Sequence, residues 1–299
     1  MAAEVVPLQL QTKTVKRGFW AQLRRLPRAW VGAGMVGLVI FCAVFAPIIA
    51  PNDPLQQFPD GLSATGTPLA PGGNFLFGTD HLGRDLYSRL INGARVSLFI
   101  SLMANLTAAI LGTAIGVLAG FYGGLIDAAL MRVTDVILAY PAVLLALGLG
   151  AVLRPSIPVV FLILMAITWP ALARLVRSQT LSVRERQFVE SARASGAGDV
   201  YIMIRHILPH IITVSVVWFT LSIASTILIE SSLSFLGVGV PLPTASWGNM
   251  ILEGQSRYRI APWMILMPTV AILITTLGFN LLGDAVRDAL DPRTSRRLS

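Results

Sequence analysis

The chain has 299 residues, of which 55% are hydrophobic and 13% charged, and its mean hydropathy is +0.72. Because soluble domains carry about 25% charged residues, this composition excludes a soluble fold. The single cysteine, Cys42, excludes a disulfide framework and a cysteine-based metal cluster. The net charge of +8 suits either nucleic acid or a membrane surface, and the positions of the basic residues decide between them.

Six uncharged or nearly uncharged stretches are each close to or above the roughly 20 residues that cross a bilayer as a helix. They predict an all-α membrane protein with spans at 29–50, 96–122, 128–153, 155–175, 209–236 and 263–284. The first is expected to be an uncleaved anchor, since the segment before it is too long for a signal peptide. The remaining segments are an N-terminal arm (1–28), two loops on one side (51–95 and 237–262), a loop on the other side (176–208) and a tail (285–299).

The distribution of basic residues predicts the orientation of these spans. Most of the 23 Lys and Arg residues lie in the arm, the 176–208 loop and the tail. The positive-inside rule therefore places both termini and that loop in the cytoplasm, and the 51–95 and 237–262 loops outside. The net charge is thus explained by membrane topology with some contact to anionic lipid, and no nucleic acid partner is expected.

The second span and the segment before it carry two helical patterns. Leu82, Leu86, Leu90 and Ile91 recur at helical spacing and predict a short amphipathic helix at the end of the first external loop. Five small residues spaced by four then form one stripe of the span: Ala104, Ala108, Gly112, Gly116 and Gly120. Small residues allow another backbone to approach, so the stripe predicts a helix-packing seam, either within this chain or across a dimer, while Val117 is expected to face lipid.

The loop at 176–208 is polar but patterned. Ser182 and Glu185 form a capping-box pattern that predicts a helix starting near Val183 and ending near Ala194. Gly196 and Gly198 follow as helix breakers, and Asp199 is expected to cap a second helical piece. These signals predict a short helix lying across the membrane face, in a position where a partner protein binds.

Two acidic residues lie in or beside the predicted spans. Asp135 is expected to pair with Arg132 on one helix face, and Glu230 to anchor the external loop that follows it. The alternative role for each is to line a substrate pathway, because a charge within the membrane is costly and marks functional sites.

No catalytic constellation emerges from the polar residues. His81 lies on the opposite membrane side from His206 and His210, so the three histidines offer no catalytic triad, and the glycine-rich stretches lack a phosphate-loop lysine. His81 alone lacks the partners of a metal site and is interpreted as a solvated loop residue. The chain is therefore expected to be no enzyme and to bind neither a metal nor a cofactor.

Several segments together resemble one protein family. Glu190-Ser191-Ala192, Gly196 and the Arg-His-Ile-Leu-Pro run at 205–209 are similar to the EAA loop of bacterial ABC importer permeases, with Ser191 in place of the usual alanine. Segments 77–98, 131–141, 232–248 and 278–293 resemble the second, C-type permease subunit of dipeptide, oligopeptide and glutathione importers, a branch that also includes nickel-chelate and oligosaccharide importers.

The resemblance implies a type I importer permease with six membrane helices and a cytoplasmic coupling helix. It assigns contact with the ATPase to Glu190, Ser191, Ala192, Gly196, Gly198 and Asp199. The implied partners are a second homologous permease, two ATP-binding subunits that hold ATP and magnesium, and an external solute-binding protein in the bacterial inner membrane system. Peptides are the expected cargo; nickel chelates or oligosaccharides are the alternatives, and a secondary transporter or a membrane scaffold is the alternative class.

Overall fold

The computed structural model describes residues 19–290, which contain helices and irregular segments but no β-strand. The expectations for residues 1–18 of the arm and 291–299 of the tail lie outside this range. Helices α1 (Phe19–Leu23), α2 (Pro27–Val44) and α3 (Ala46–Ile49) open the described chain. Pro27 suits the first turn of α2, because proline has no backbone N–H and those N–H groups have no partner within a helix.

Helix α4 runs without a break from Leu86 to Tyr122, a length of 37 residues. The expected amphipathic helix and second span are therefore one element. The Asp85 carboxylate begins it by accepting hydrogen bonds from the backbone N–H groups of Tyr87 and Ser88. Gly93 lies between the interfacial turns and the apolar part but is buried next to Trp247, and no proline interrupts them, so the helix continues into the bundle.

The segment expected to form a single third span is instead a bent pair of helices. Helix α5 (Gly124–Leu138) and helix α6 (Ala142–Val152) meet at 87°. Pro141 lies at the break and disfavours helical geometry in the residue before it. At the other end of α5, Gly123 has a φ of 66°, which allows the sharp turn out of α4.

The loop predicted at 176–208, here called the coupling segment, begins within helix α7 (Ile157–Arg184), which extends well past its predicted end and is followed by α8 (Gln187–Ala194). The capping-box prediction is wrong, since Ser182 lies within α7 and Glu185 ends it. The last turn of α7 is held in place because Val183 is buried and the Arg184 guanidinium donates to the Phe121 carbonyl oxygen.

The chain then continues through α9 (Asp199–Ile202), a π-helical turn (Met203–Ile207) and α10 (Leu208–Phe235) as one apolar segment. Gly198 takes the N-cap position of α9, and Asp199 is its first helical residue rather than its cap. An acidic residue there still favours the helix, because the first turn carries the positive end of the helix dipole.

The final elements are α11 (Trp247–Gly254), a 3₁₀ turn (Gln255–Arg257) and α12 (Trp263–Leu290). The expected 237–262 loop thus contains a buried helix, in which the Trp247 indole N–H donates to the Leu90 carbonyl oxygen at 3.2 Å. Five of the described helical segments are long and apolar enough to cross a membrane, and the bent pair α5–α6 brings the number to as many as six.

The small-residue stripe of α4 faces α7 within the same chain. A Cβ atom added to Gly112 would lie 2.8 Å from the Trp169 carbonyl oxygen, and one added to Gly116 would lie 2.5 Å from that of Ala173. Gly120 is equally close to Thr180, while Ala104 and Ala108 are fully buried. The two backbones therefore approach each other along several turns. Val117 is also buried, so the expectation that it faces lipid is wrong.

Hydrogen bonds fix a second neighbour of α4. The Thr113 hydroxyl donates to Ser215 Oγ on α10 at 2.9 Å, and Ser222 Oγ donates to Asn105 Oδ1 at 3.0 Å. Such polar contacts between apolar helices set their register, since a polar group in hydrocarbon otherwise lacks a partner. Helices α2 and α12 pack against each other on the outer side of this core, with Arg28 paired to Asp288.

Gly116→Leu is expected to separate α4 from α7 and to lower the free energy of unfolding by about 2 kcal/mol or more, as overpacked cores do. The measurement is thermal unfolding of the purified permease complex in detergent. Gly37→Leu is the matched control, because Gly37 is an exposed helical glycine with no atom within 4 Å of an added Cβ. Equal melting temperatures for the two variants would contradict a packing role for the stripe.

Candidate coupling and pathway surfaces

The coupling segment is attached to the helix bundle by its apolar side. Val189 on α8 is 1% exposed and lies in one cluster with Ile202 and Ile207. The Phe188 ring stacks on the His210 imidazole, with ring centroids 5.1 Å apart and an interplanar angle of 16°. Any displacement of α8 therefore acts directly on the start of α10.

The opposite side of the coupling segment is open to solvent. Glu190 and Ser191 are exposed, and Ala192 is half-buried against the bundle. Helix α8 ends at Ala194. In the turn that follows, the φ of 82° at Gly196 belongs to the left-handed region, and the Ala197 N–H donates to the Ala192 carbonyl oxygen. Gly198 and Asp199 follow, both exposed. A polar, solvent-facing helix thus stands beside a glycine turn of fixed geometry.

Asp135 pairs across helices and not with Arg132. Its Oδ1 accepts from Arg174 Nη2 on α7 at 2.5 Å, and both side chains are more than half exposed. Eight residues earlier on α5, Asp127 binds the Arg177 guanidinium through both carboxylate oxygens. Two ion pairs therefore join α5 to α7. The side chains of Asp135 and Arg174 are more exposed than those of Asp127 and Arg177.

Glu230 is fully buried near the end of α10, in contrast to Asp135. Its carboxylate accepts hydrogen bonds from Ser234 Oγ at 3.0 Å and Ser231 Oγ at 3.4 Å. Ser234 Oγ in turn accepts from the backbone N–H of Val240 in the loop that follows. The Glu230 carboxylate thus connects α10 to that loop and does not face an open passage in this structure.

Four charged side chains form a buried network on the side of the bundle opposite the coupling segment. Arg84 Nε lies 2.5 Å from Asp80 Oδ2, and Arg84 Nη2 lies 2.9 Å from Glu253 Oε1. Arg89 Nη2 lies 2.6 Å from Glu253 Oε2, and Arg89 Nε lies 3.3 Å from Asp80 Oδ2. All four side chains are 9% exposed or less. The network ties α11 to the start of α4.

His81 belongs to the edge of this network and is not the solvated loop residue expected from sequence. Its ring lies with Asp80 and Glu253 in a group whose potential ligand atoms are all within 4.8 Å of one another, and burial lowers the pKa of His81. Both carboxylates are already bound by Arg84 and Arg89. The two carboxylate charges are therefore already balanced by the two guanidinium charges. No net negative charge remains to attract a divalent cation, and the nearby guanidinium groups would repel one.

The sequence analysis predicted neither the Arg84–Glu253 network nor the Asp135–Arg174 ion pair. Glu253 is 169 residues from Arg84 in the chain, so no local pattern connects them. Arg174 was expected at the cytoplasmic end of a span, but Leu172, Val176, Thr180 and Val183 continue the buried helical face beyond it. That periodicity was the available signal that Arg174 lies within a longer helix.

The helical fold is that of a membrane permease of the type I importer architecture, and comparison with known proteins gives its family. The family model described as the inner membrane component of binding-protein-dependent transport systems matches residues 112–296. The model of the N-terminal transmembrane domain of oligopeptide transport permease C matches residues 15–71. The chain therefore belongs to the ABC importer permeases, in the peptide branch, and is a multi-pass inner membrane protein.

Named relatives agree with this assignment. The glutathione transport system permease protein GsiD of Escherichia coli O157:H7 is 43% identical over 284 residues, covering 95% of this chain and 92% of the relative. GsiD of Shigella sonnei (strain Ss046) matches to the same extent. Proteins of this family act with ATPase and substrate-binding partners.

Two solved structures share the fold. Both are inward-facing conformations of the MetNI methionine ABC transporter. One has a TM-score of 0.57 at 17% identity and covers 68% of this chain and 96% of its own. The other has a TM-score of 0.55 at 18% identity, with coverages of 69% and 98%.

Glu253→Gln is expected to lower the free energy of unfolding by about 3 kcal/mol, because it leaves two buried guanidinium groups with a single carboxylate. Thermal unfolding of the purified complex measures the loss. Asp60→Asn, which removes an exposed carboxylate from the loop before α4, is the control and should change the melting temperature little. A Glu253→Gln protein as stable as the control would show that the network does not hold α11.

Proposed function

We propose that this chain forms half of the membrane pathway of an importer for short peptides of the glutathione type. A second homologous permease forms the other half, two ATP-binding subunits dock on the coupling side, and a solute-binding protein delivers cargo on the opposite side. The observation that carries the cargo assignment is the 43% identity to GsiD over nearly the full length of both chains.

The orientation that goes with this function has both termini and the coupling segment in the cytoplasm. The basic residues that flank the spans support it through the positive-inside rule. The Arg84–Glu253 network then lies outside, where it holds α11 over the entrance that receives cargo.

Within this scheme, energy reaches the pathway through the coupling segment. Glu190, Ser191, Gly196, Gly198 and Asp199 supply the exposed surface for the ATPase. The buried contacts of Phe188 and Val189 with α10 and its preceding turns transmit movement into the membrane. ATP binding and hydrolysis belong to the partner subunits, and this chain contributes the conformational response.

Asp135 lines the pathway, whereas Glu230 anchors the external loop. An exposed charge within a membrane helix requires water or protein around it, and the Asp135 side chain is 54% exposed in the single subunit. Glu230 is fully enclosed by its own chain and is satisfied by serine hydroxyls, so its role is structural in this conformation.

Deletion of this chain in its native cell is expected to abolish uptake of radiolabelled glutathione and trialanine, and the wild-type gene should restore it. Uptake of a nickel–histidine chelate and of maltotriose is measured in the same cells as the comparison. Loss of chelate or oligosaccharide uptake with normal peptide uptake would replace the peptide assignment by the corresponding cargo. Normal uptake of all four would contradict the transport function.

Gly196→Val is expected to uncouple the importer while leaving it assembled. A β-branched residue at a φ of 82° is strained by about 1–2 kcal/mol, which changes the angle at which α8 meets the ATPase. In proteoliposomes containing the complete complex, peptide uptake and the ATPase stimulation caused by loaded binding protein should both fall.

Gly198→Val is the matched control for that experiment. Gly198 is two residues away, has no atom within 4 Å of an added Cβ, and has an extended φ of −70° that valine adopts readily. Gly198→Val should therefore retain more peptide uptake and more ATPase stimulation than Gly196→Val. Equal activity of the two variants would contradict the idea that the turn at Gly196 aims the coupling helix.

A further inference from the structure

Helix α7 has two faces with different chemistry. Leu172, Ala173 and Val176 are fully buried against α4 and its neighbours. The opposite stripe includes the exposed Arg174 and Ser178, which are one turn apart. An exposed polar stripe on a membrane helix is unsuited to lipid, so it marks the side of α7 that meets water or a partner.

The Asp135–Arg174 ion pair lies on this stripe at some depth in the bundle. Arg174 is ten residues before the coupling-side end of α7 at Arg184, which corresponds to about 15 Å of helix. Its side chain is 56% exposed and that of Asp135 is 54% exposed. Both an anionic and a cationic group are therefore accessible side by side on the same surface.

This pair is the most exposed of the ion pairs between residues 19 and 290. Exposed ion pairs contribute little to stability, because water solvates the separated charges nearly as well. The Arg84–Glu253 network is almost fully buried, and separating it would leave charges without solvation. The Asp135–Arg174 pair is thus one that a charged ligand can open at small cost.

We propose that Arg174 and Asp135 form an exchangeable charge pair that binds the two ends of a zwitterionic peptide as it passes through the membrane pathway. This proposal rests on the proposed function and deepens it by naming two residues that select cargo. The Arg174 guanidinium binds the peptide carboxylate, for which its planar fork of N–H donors is suited. Asp135 binds the ammonium group, and the two side chains pair again after the peptide has left.

The exchange keeps the charges on the pathway wall balanced in both states. Without cargo, Arg174 and Asp135 neutralise each other. With a peptide that carries one ammonium and one carboxylate group, such as trialanine, each protein charge meets the opposite charge of the peptide, so the bound state is also neutral. A neutral oligosaccharide offers neither group, so the pair favours peptides over sugars at a stage later than the binding protein.

The test is the number of peptide molecules imported per ATP hydrolysed, measured in proteoliposomes with the complete complex and trialanine-loaded binding protein. Arg174→Gln and Asp135→Asn should each reduce this ratio by about fivefold, the effect of one charge-assisted hydrogen bond in contact with water. ATPase stimulation by the loaded binding protein should stay near the wild-type rate, because the coupling segment is untouched.

Two further variants separate charge from shape. Arg174→Lys keeps a cation but lacks the planar fork of donors, so it should restore part of the ratio. Arg132→Gln removes an exposed arginine one turn from Asp135 on α5 and should leave the ratio unchanged. An unchanged ratio in Arg174→Gln, or a parallel loss of import and hydrolysis in both neutralised variants, would overturn the proposal.

Thiol labelling distinguishes failure of this proposal from failure of the proposed pathway. In a Cys42→Ser background, Arg174→Cys should react with a membrane-impermeant maleimide added from the coupling-helix side, and Ala64→Cys should react only from the other side. Labelling at position 174 with an unchanged import ratio overturns the cargo role and retains the pathway. An unreactive position 174 overturns both the pathway assignment and the charge-pair proposal.

Discussion

The close contact between α4 and α7 is the constraint on which the rest of the arrangement depends. Gly112, Gly116 and Gly120 have no side chains, so the α7 backbone approaches to a distance at which a single added carbon would overlap it. In lipid, where burying apolar surface gives little net gain, such contact and its van der Waals energy drive helix association. The direction of α7 then fixes where Arg174 and Arg177 meet α5.

The same arrangement explains how a polar segment is held rigidly at the membrane surface. Helix α7 continues beyond its membrane part and delivers the chain to α8, while Val189 and Phe188 attach α8 to the turns before α10. A π-helical turn at Met203–Ile207 lies at this junction, and such turns are often found at functional sites. The coupling segment is therefore connected to two long helices rather than suspended between them.

Two groups of charged side chains among the described residues differ sharply in burial. Arg84, Arg89, Asp80 and Glu253 are enclosed and form ion pairs with one another, which suits a permanent connection between α11 and α4. Asp135 and Arg174 have the same chemistry but face outwards. Arginine and acidic residues thus form a buried contact at one end of the bundle and an exposed contact between α5 and α7.

Much of this protein follows from the sequence alone. The uncharged stretches indicated an all-helical membrane protein, and the segment at 190–209 and its companions indicated the importer permease family, as the comparisons confirm. These properties depend on composition and on local spacing, both of which a single chain displays directly. The stripe of small residues from Ala104 to Gly120 likewise predicted a packing seam. It did not predict that α7 of the same chain packs against it.

The tertiary structure alone decided where elements break and which charges meet. Pro141 divides the expected third span, and the last turn of α7 continues through the predicted cap because Val183 is buried and Arg184 reaches Phe121. Asp135 pairs with Arg174 rather than with Arg132, and Glu253 reaches two arginines more than 160 residues away. A local pattern reports a residue's neighbours along one helix, whereas the partner of a charge is set by which helices pack together and at what angle.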